Sequence, residues 1–385
     1  MARVPPGAGG CRRRMTQGAA TAERTPLEDR LMALIRARGA ITIADYMSDA
    51  LFHPQDGYYT ARSPIGADGD FTTAPEISQI FGELIGLWLV QSWIDMGSPP
   101  AFNLIELGPG RGVLMEDILR AAQLRPAFLD AAHVWLIETG GRLRLEQRRR
   151  LKDKGAAIDW ADRFADAPAA PALLLANEFF DCQPIRQFVR ADAGWRERLV
   201  DLAPDGSGLA FRLSDLPPEP QLDLPGKDQA AIGDVFELAE AAETAVDEIA
   251  RALVERGGRA LIIDYGHLHD GFGDTLQAVR RHAFWPVLAS PGLADITAHV
   301  NFERLTRAAF AAGASAHGPI AQGVFLERLG LPFRLERLGA GRNVEEVAAL
   351  HHGAHRLASP NEMGELFKAF AISAPGLPAP AGFQP

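Results

Sequence analysis

Cysteine is scarce in this chain of 385 residues, where it occurs only as Cys11 and Cys182. Two cysteines are too few for a disulfide framework or for a zinc site built from four thiolates. Long apolar runs are missing as well, because no run approaches the ~18 residues that a helix needs to span a bilayer. We therefore expect a protein without a membrane span from a reducing compartment, the bacterial cytoplasm first and the mitochondrial matrix if the source is eukaryotic.

Basic residues are fewer than acidic ones. The chain has 39 lysines and arginines against 49 aspartates and glutamates, which gives a net charge of −10 at pH 7. This surplus of acid argues against a nucleic-acid partner, whose phosphates need a basic surface. Hydrophobic residues make up 47% of the chain, as is ordinary for a folded protein, and the length predicts two or three folding units or one large domain with insertions.

Both ends differ in composition from the middle. Residues 1–14 contain four arginines, and no acid precedes Glu23. Because this segment also lacks the apolar core of a secretory signal, residues 1–25 predict a disordered tail, with a mitochondrial transit peptide as the alternative. The proline- and glycine-rich residues 373–385 predict a second loose tail.

Short apolar segments alternate with helical ones in the middle of the chain. Strands are predicted at 102–107, 134–137, 158–160, 172–176 and 260–263. Strands separated by helices are typical of an α/β fold with a mostly parallel sheet and helices on both faces. Residues 187–213 predict antiparallel strands inserted into this core, and 236–256 predict one long helix that ends at two glycines.

Helical spacing of apolar residues also precedes the first strand. It predicts helices near 27–35, 41–50 and 77–96, the last one amphipathic, around a long loop over 52–76. The predicted organisation is then a tail at 1–25, an N-terminal helical and lid region at 26–100, a core at 101–186 and 257–372, inserted strands and helix at 187–256, and a tail at 373–385.

A glycine-rich loop follows the first predicted strand, in the sequence Glu106-Leu-Gly-Pro-Gly-Arg-Gly112. Glycines let the backbone approach a ligand closely. A Walker A loop is excluded because no Gly-Lys-Ser/Thr follows, and the dinucleotide fingerprint would need glycine where Val113 stands. Glu106 would repel a diphosphate but attract the amino group and sulfonium of S-adenosylmethionine. We therefore predict this cofactor, with another nucleotide or a turn without ligand as the alternatives.

Acids follow two further predicted strands. Glu138 lies 30 residues after Gly108, where an acceptor for a ribose diol is expected. The other segment is Asn177-Glu-Phe-Phe-Asp181, whose carboxylates Glu178 and Asp181 could hold a guanidinium between aromatic walls. The alternative is that Glu178 caps a neighbouring helix and the two phenylalanines belong to the core. His351 and His355 lack an accompanying carboxylate motif, so we expect exposed helix histidines and no metal site.

These segments together resemble the MidA family of S-adenosylmethionine-dependent methyltransferases over residues 27–372. The resemblance rests on the glycine-rich loop at 106–112, on the segment 177–181, and on 69–79, 263–267, 273–277 and 295–300. It implies a class I, Rossmann-like methyltransferase core with extra helices on the substrate side and a loop at 69–78 that closes over the cofactor. The family usually has Ser-Pro where this chain has Gly140-Gly141, which predicts a looser turn.

The motifs and the resemblance together define the predicted site. Residues expected to hold the cofactor are Glu106, Gly108, Pro109, Gly110, Gly112, Glu138, Asn177 and Thr73. Those expected to orient the substrate are Glu178, Asp181 and Glu76.

Mitochondrial members of the MidA family are assembly factors of respiratory complex I that methylate an arginine in a core subunit. The resemblance therefore implies arginine methylation of a protein substrate, with a complex I subunit as the expected partner and a homodimer as an expected assembly. Two alternatives stay open. One is a methyltransferase for small molecules, and the other is a cofactor-binding chaperone for complex I assembly.

Overall fold

Two structural units, each assembled from separate stretches of sequence, make up the protein. The computed structural model describes residues 23–61, 73–220, 222–225 and 229–384. Of these residues, the first unit combines 23–61, 182–220, 222–225, 229–242 and 269–299, and the second combines 73–181, 243–268 and 300–384. Residues 187–242 of the predicted insertion thus fall in the first unit, whereas 243–256 fall in the second. The predicted domain boundaries stay predictions.

The helices and strands are numbered along the chain. The helices are α1 Pro26–Arg38, α2 Ile43–Phe52, α3 Tyr58–Ala61, α4 Ala74–Ile77, α5 Gln79–Asp95, α6 Val113–Ala122, α7 Pro126–Ala131, α8 Gly141–Arg150, α9 Glu240–Arg256, α10 Phe302–Ala311, α11 Gln322–Arg328, α12 Leu331–Gly339, α13 Val344–Ala358 and α14 Met363–Leu366. The strands are β1 Ile41–Thr42, β2 Phe102–Leu107, β3 Ala132–Ile137, β4 Ala157–Ala161, β5 Ala172–Asn177, β6 Arg186–Ala191, β7 Gly194–Leu202, β8 Leu209–Leu213, β9 Val235–Leu238, β10 Gly258–His267, β11 Gln277–Arg280, β12 Ala283–Trp285, β13 Asp295–Thr297, β14 Val300–Asn301, β15 Ser315–Ala321 and β16 Phe367–Ser373.

The second unit is built on an eight-stranded sheet in the order β15-β16-β10-β5-β2-β3-β4, with β14 beside β10. The five strands from β10 to β4 run parallel, whereas β16 is antiparallel to both of its neighbours. This confirms the predicted α/β fold with a mostly parallel sheet. The chain order of the strands reverses between β2 and β5, and open α/β sheets bind ligands at the carboxyl ends of the strands at such a point.

Helix α5 is buried on nearly all sides, so its prediction as an amphipathic helix is wrong. Eleven of its 17 residues are buried, and it packs against α6. Gly86 allows this close approach, because a Cβ there would lie 3.0 Å from Ala121 Cβ and 3.0 Å from the Ile118 backbone. Both helices cover the sheet over one shared apolar core.

The first unit is mainly antiparallel. Strands β1, β7, β6 and β9 form one sheet with β8 paired to β7, and β12, β11 and β13 form another. Strands β6, β7 and β8 confirm the antiparallel strands predicted at 187–213. Helix α2 follows the N-cap residue Thr42, which forms a capping box with Asp45.

Three predicted segments need correction. The long helix predicted from residue 236 begins at Glu240, because 235–238 form β9 and bury Phe236 against Phe188 and Trp195. The loop predicted over 52–76 contains α3 and α4, while 62–72 lie outside the described residues. The predicted C-terminal tail is packed rather than loose: Trp88 Nε1 donates to Ala381 O at 3.0 Å, and Phe383 contacts Phe325.

Over the residues that the structure describes, helices long and apolar enough to cross a bilayer are absent. The same residues contain no cluster of three or more histidines, cysteines or carboxylates that could hold a metal ion. His351 and His355 are exposed on α13, as the sequence predicts.

Candidate active site

The glycine loop leaves β2 next to the point where the strand order reverses. Gly108, Gly110 and Gly112 have φ values of +59°, +52° and +77°, a region that side chains with a Cβ rarely adopt. A Cβ on Gly108 would also lie 3.0 Å from the ring of Phe179. The loop therefore needs glycine both for its backbone path and for its contact with the segment that follows β5.

Glu106 lies in β2, two residues before the loop. Its side chain is buried, and its Oε2 has no hydrogen-bond partner among the described residues. Burial raises the pKa of Glu106 to about 8. A buried carboxylate with an orphaned oxygen is costly unless a cation or a donor meets it, so this position favours a positively charged ligand group.

Glu138 follows β3 and is also buried. Its Oε1 accepts a hydrogen bond from Gly140 N at 2.6 Å, and its Oε2 accepts one from Gln147 Nε2 at 3.3 Å. Burial raises the pKa of Glu138, although these donors act in the opposite direction. Gly140 has φ −75°, so the turn predicted to be loose has an ordinary backbone conformation and is held by the carboxylate.

The segment after β5 carries Asn177, Glu178 and Asp181. Glu178 has φ +50°, and its Oε1 accepts from Ala74 N at 2.8 Å and from Asn177 Nδ2 at 3.2 Å. The first of these bonds satisfies the start of α4, so the capping alternative for Glu178 describes a real contact. Burial, reinforced by the nearby Asp181, raises the pKa of Glu178 to about 7. Asn177 Oδ1 is buried without a partner among the described residues.

The two phenylalanines of this segment differ in their surroundings. Phe180 is 3% exposed and belongs to the core, whereas Phe179 is partly exposed and lies against Gly108. Their rings meet edge to face at 5.3 Å. The core interpretation thus holds for Phe180, and Phe179 forms a wall beside the glycine loop.

Thr73 directly precedes α4 and Glu76 lies on this helix, at the edge of the described residues. Thr73 is the N-cap residue but makes no side-chain capping bond. Glu76 Oε2 lies 3.6 Å from Arg111 Nη1, and Arg111 also binds Glu146 at 2.7 Å. The structure therefore links Glu76 to an arginine of the glycine loop. Residues 69–72 of the predicted lid lie outside the described residues.

A family model described as "Putative S-adenosyl-L-methionine-dependent methyltransferase" matches residues 84–320. The chain belongs to this family. Its cofactor is S-adenosylmethionine, and the glycine loop, Glu106 and Glu138 lie in the matched range.

Similar proteins agree with this assignment. The chain is 38% identical to the mitochondrial protein arginine methyltransferase NDUFAF7 of Danio rerio, a match that covers 89% of this chain and 85% of that protein. It is 38% identical to the human protein of that name, with 90% and 83% covered. A protein from Burkholderia thailandensis whose crystal structure holds S-adenosyl-homocysteine is 27% identical, with a TM-score of 0.80 over 92% of this chain and 93% of that one.

The residues of this methyltransferase fit the cofactor chemically. The orphaned Glu106 Oε2 suits its cationic amino-acid end, and the left-handed glycines leave room for close backbone approach. A carboxylate at the end of β3 suits a ribose diol, because it still has acceptor positions after binding Gly140 and Gln147.

Asp264 is a residue of the site that the sequence reasoning missed. It lies near the end of β10, is fully buried, and its Oδ2 accepts from the backbone N–H groups of Phe179, Phe180 and Asp181 at 3.1, 2.8 and 3.2 Å. Burial and the nearby Asp181 raise the pKa of Asp264. Its position after a run of buried apolar residues was the available signal, since a buried carboxylate there must find donors.

Proposed function

We propose that this methyltransferase modifies an arginine side chain of a protein substrate. The observation that carries the proposal is the segment after β5, where Glu178 and Asp181 accompany the aromatic wall of Phe179 beside the glycine loop. Carboxylates bind a guanidinium through charge-assisted hydrogen bonds, and an aromatic face favours the cation. The names of the similar mitochondrial proteins support the same substrate class.

We assign the cofactor to eight residues of this unit. Glu106 faces its amino group, the loop formed by Gly108, Pro109, Gly110 and Gly112 receives its methionine part, and Glu138 receives its ribose. Asn177 and Thr73 complete the assignment at the ends of β5 and α4. When bound, S-adenosylmethionine supplies an electrophilic methyl group, and the work of the chain is to align the substrate nitrogen with it.

Glu178 has the properties that a residue orienting the guanidinium needs. Its Oε1 already accepts from Ala74 N and Asn177 Nδ2, so we assign Oε2 to a substrate N–H. A pKa of about 7 lets this carboxylate accept the proton that the substrate nitrogen releases near neutral pH. Asp181 adds negative charge, and Asp264 holds the segment in place through three backbone N–H groups. Glu76, held by Arg111, would act on the substrate only after leaving that ion pair.

A complex I subunit is the partner that the family resemblance favours, and the mitochondrial relatives agree with such a setting. The test is to incubate the protein with methyl-labelled cofactor and a lysate of its own cell, and to identify the labelled residue by mass spectrometry. Labelled arginine supports the proposal. Label only in small molecules, or none in any arginine, contradicts it.

The substitution Glu178→Gln tests the role of this carboxylate. Glutamine keeps an oxygen for Ala74 N but removes the charge, so we expect unchanged S-adenosyl-homocysteine affinity by calorimetry and a loss of turnover of about a hundredfold or more. The exposed Glu255→Gln on α9 is the control, with turnover unchanged. Full turnover in Glu178→Gln would mean that Glu178 only caps α4 and takes no part in the reaction.

The substitution Gly110→Val tests the glycine loop. It should abolish cofactor binding, since valine rarely adopts the φ of +52° that Gly110 has.

A further inference from the structure

Gln147 is a buried amide on a helix that is largely exposed. Helix α8 is rich in arginine, and its buried residues are Leu143 and Gln147. Gln147 has no exposed surface at all. Burial of an amide is unfavourable unless its donors and acceptor are paired, so the partners of Gln147 show what this position requires.

Every polar atom of the Gln147 side chain has a partner. Nε2 donates to Gly110 O at 2.7 Å and to Glu138 Oε2 at 3.3 Å, and Oε1 accepts from Trp160 Nε1 at 2.7 Å. The indole N–H can only donate, so it fixes which end of the amide is the oxygen. Nε2 must then face the two acceptors of the cofactor site.

These bonds join two segments that leave different strands. Gly110 belongs to the glycine loop after β2, and Glu138 begins the turn after β3. Gln147 also packs on the loop, because a Cβ added to Gly112 would lie 3.3 Å from Gln147 Cγ. The other oxygen of Glu138 is held by Gly140 N, so the carboxylate plane is set by one donor on each side.

We propose that Gln147 is a positioning residue that couples the two halves of the cofactor site. It fixes the Glu138 carboxylate for the ribose hydroxyls and, through the Gly110 carbonyl, the loop that receives the methionine part. The inference rests on the proposed placement of the cofactor, but it is independent of which substrate is methylated.

The test compares Gln147→Met with a matched loss of a buried amide elsewhere. Gln322 also has no exposed surface and donates to Leu357 O at 2.8 Å, outside the cofactor site. By calorimetry we expect Gln147→Met to weaken S-adenosyl-homocysteine binding about ten- to a hundredfold, because a hydrogen bond to a charged group is lost. Gln322→Met should lower the melting temperature but leave the affinity unchanged.

A double-mutant cycle with Glu138→Gln measures the coupling directly. If Gln147 acts through Glu138, the double variant loses less affinity than the product of the two single losses. The probe 5′-methylthioadenosine has the ribose but not the amino acid, and Gln147→Met should weaken it as well. Unchanged affinity in Gln147→Met, or losses that simply multiply in the cycle, would overturn the proposal.

A second variant covers the case in which Gln147→Met does not fold. Trp160→Phe removes the donor that orients the amide and keeps a ring, so we expect a several-fold loss of S-adenosyl-homocysteine affinity; an unchanged affinity there would contradict the role of Gln147. A wrong placement of the cofactor gives a different result, because Gly110→Val and Glu138→Gln would then both bind S-adenosyl-homocysteine as the natural protein does.

Discussion

At the scale of single residues, the proposed contact between Glu106 and the amino group of the cofactor makes binding depend on pH. Its carboxyl is buried, Oε2 is unpartnered in the described part of the chain, and its pKa is raised to about 8. Below that pH the free protein therefore holds a proton on Glu106. A cationic amino group binds the ionised form better, so the proton must leave as the ligand enters.

We predict that the affinity for S-adenosyl-homocysteine rises from pH 6 to pH 8 and that binding at pH 7 releases a proton from Glu106. Calorimetry in two buffers of different ionisation enthalpy measures this release. Glu106→Gln should bind more weakly at pH 8 and lose the proton release. If proton release is the same in both proteins, another group carries the pH dependence and Glu106 does not face the amino group.

Several candidate site residues could be predicted from the sequence, and the reason is local. A run of glycines with an acid two positions earlier, or a carboxylate directly after an apolar strand, shows its chemistry within one segment. Gln147 was not readable, because its arginine-rich helix predicts exposure and its partners lie 37 and nine residues away in sequence. Asp264 could be seen as a buried acid, but its three N–H donors come from a segment about 84 residues earlier.

At the scale of elements, Arg259 ties three parts of the second unit to β10. It is fully buried, and its guanidinium binds Asp95 of α5 at 2.9 Å, Ser373 of β16 at 3.0 Å and the Pro378 carbonyl at 2.6 Å. These bonds explain why the C-terminal segment is packed although its composition predicts a loose tail. The amino-acid composition of a segment reflects that segment alone. It cannot show that an arginine more than a hundred residues away donates a hydrogen bond to the Pro378 carbonyl.

We predict that Arg259→Met destabilises the protein by about 3–5 kcal/mol, because it leaves Asp95 and a buried carbonyl without their donor. Urea unfolding followed by circular dichroism measures the loss. Arg212→Met is the control: Arg212 is half exposed and pairs with Asp201 at 3.1 Å, so its removal should change the free energy of unfolding far less than Arg259→Met does. Equal effects of the two substitutions would show that the Arg259 network contributes no more than a surface pair.

Strands and helices were predictable to different degrees. Strands β2, β5 and β10 were found because each contains a short apolar run that is buried on both faces. Strand β3 was found as a short apolar run as well, although its residues alternate between buried and half-buried. The start of α9 was misplaced because the residues of β9 are apolar too and adjoin an alanine-rich helix. Only the pairing of β9 with β6, about fifty residues earlier, makes that segment a strand.

At the scale of the whole molecule, buried carboxyls couple stability to pH. Burial raises the pKa of Glu106 to about 8, of Glu178 to about 7 and of Asp117 to about 6. Their values in the unfolded chain are near 4. Between pH 4 and pH 8 the folded state therefore binds more protons than the unfolded state, so the free energy of unfolding falls as pH rises through this window.

We predict that the melting temperature of the protein without cofactor falls between pH 5.5 and pH 8. Glu106→Gln should flatten the part of the curve between pH 7 and pH 8, because an amide cannot ionise, whereas the exposed Glu255→Gln should leave the curve as it is. S-adenosyl-homocysteine should raise the melting temperature most at pH 8, where the ionised Glu106 of the free protein lacks a counter-charge. A melting temperature that rises over this range would mean that Glu106 and Glu178 ionise normally. The site would then be open to water, and the burial of Glu106 and Glu178 would give no preference for a cationic ligand.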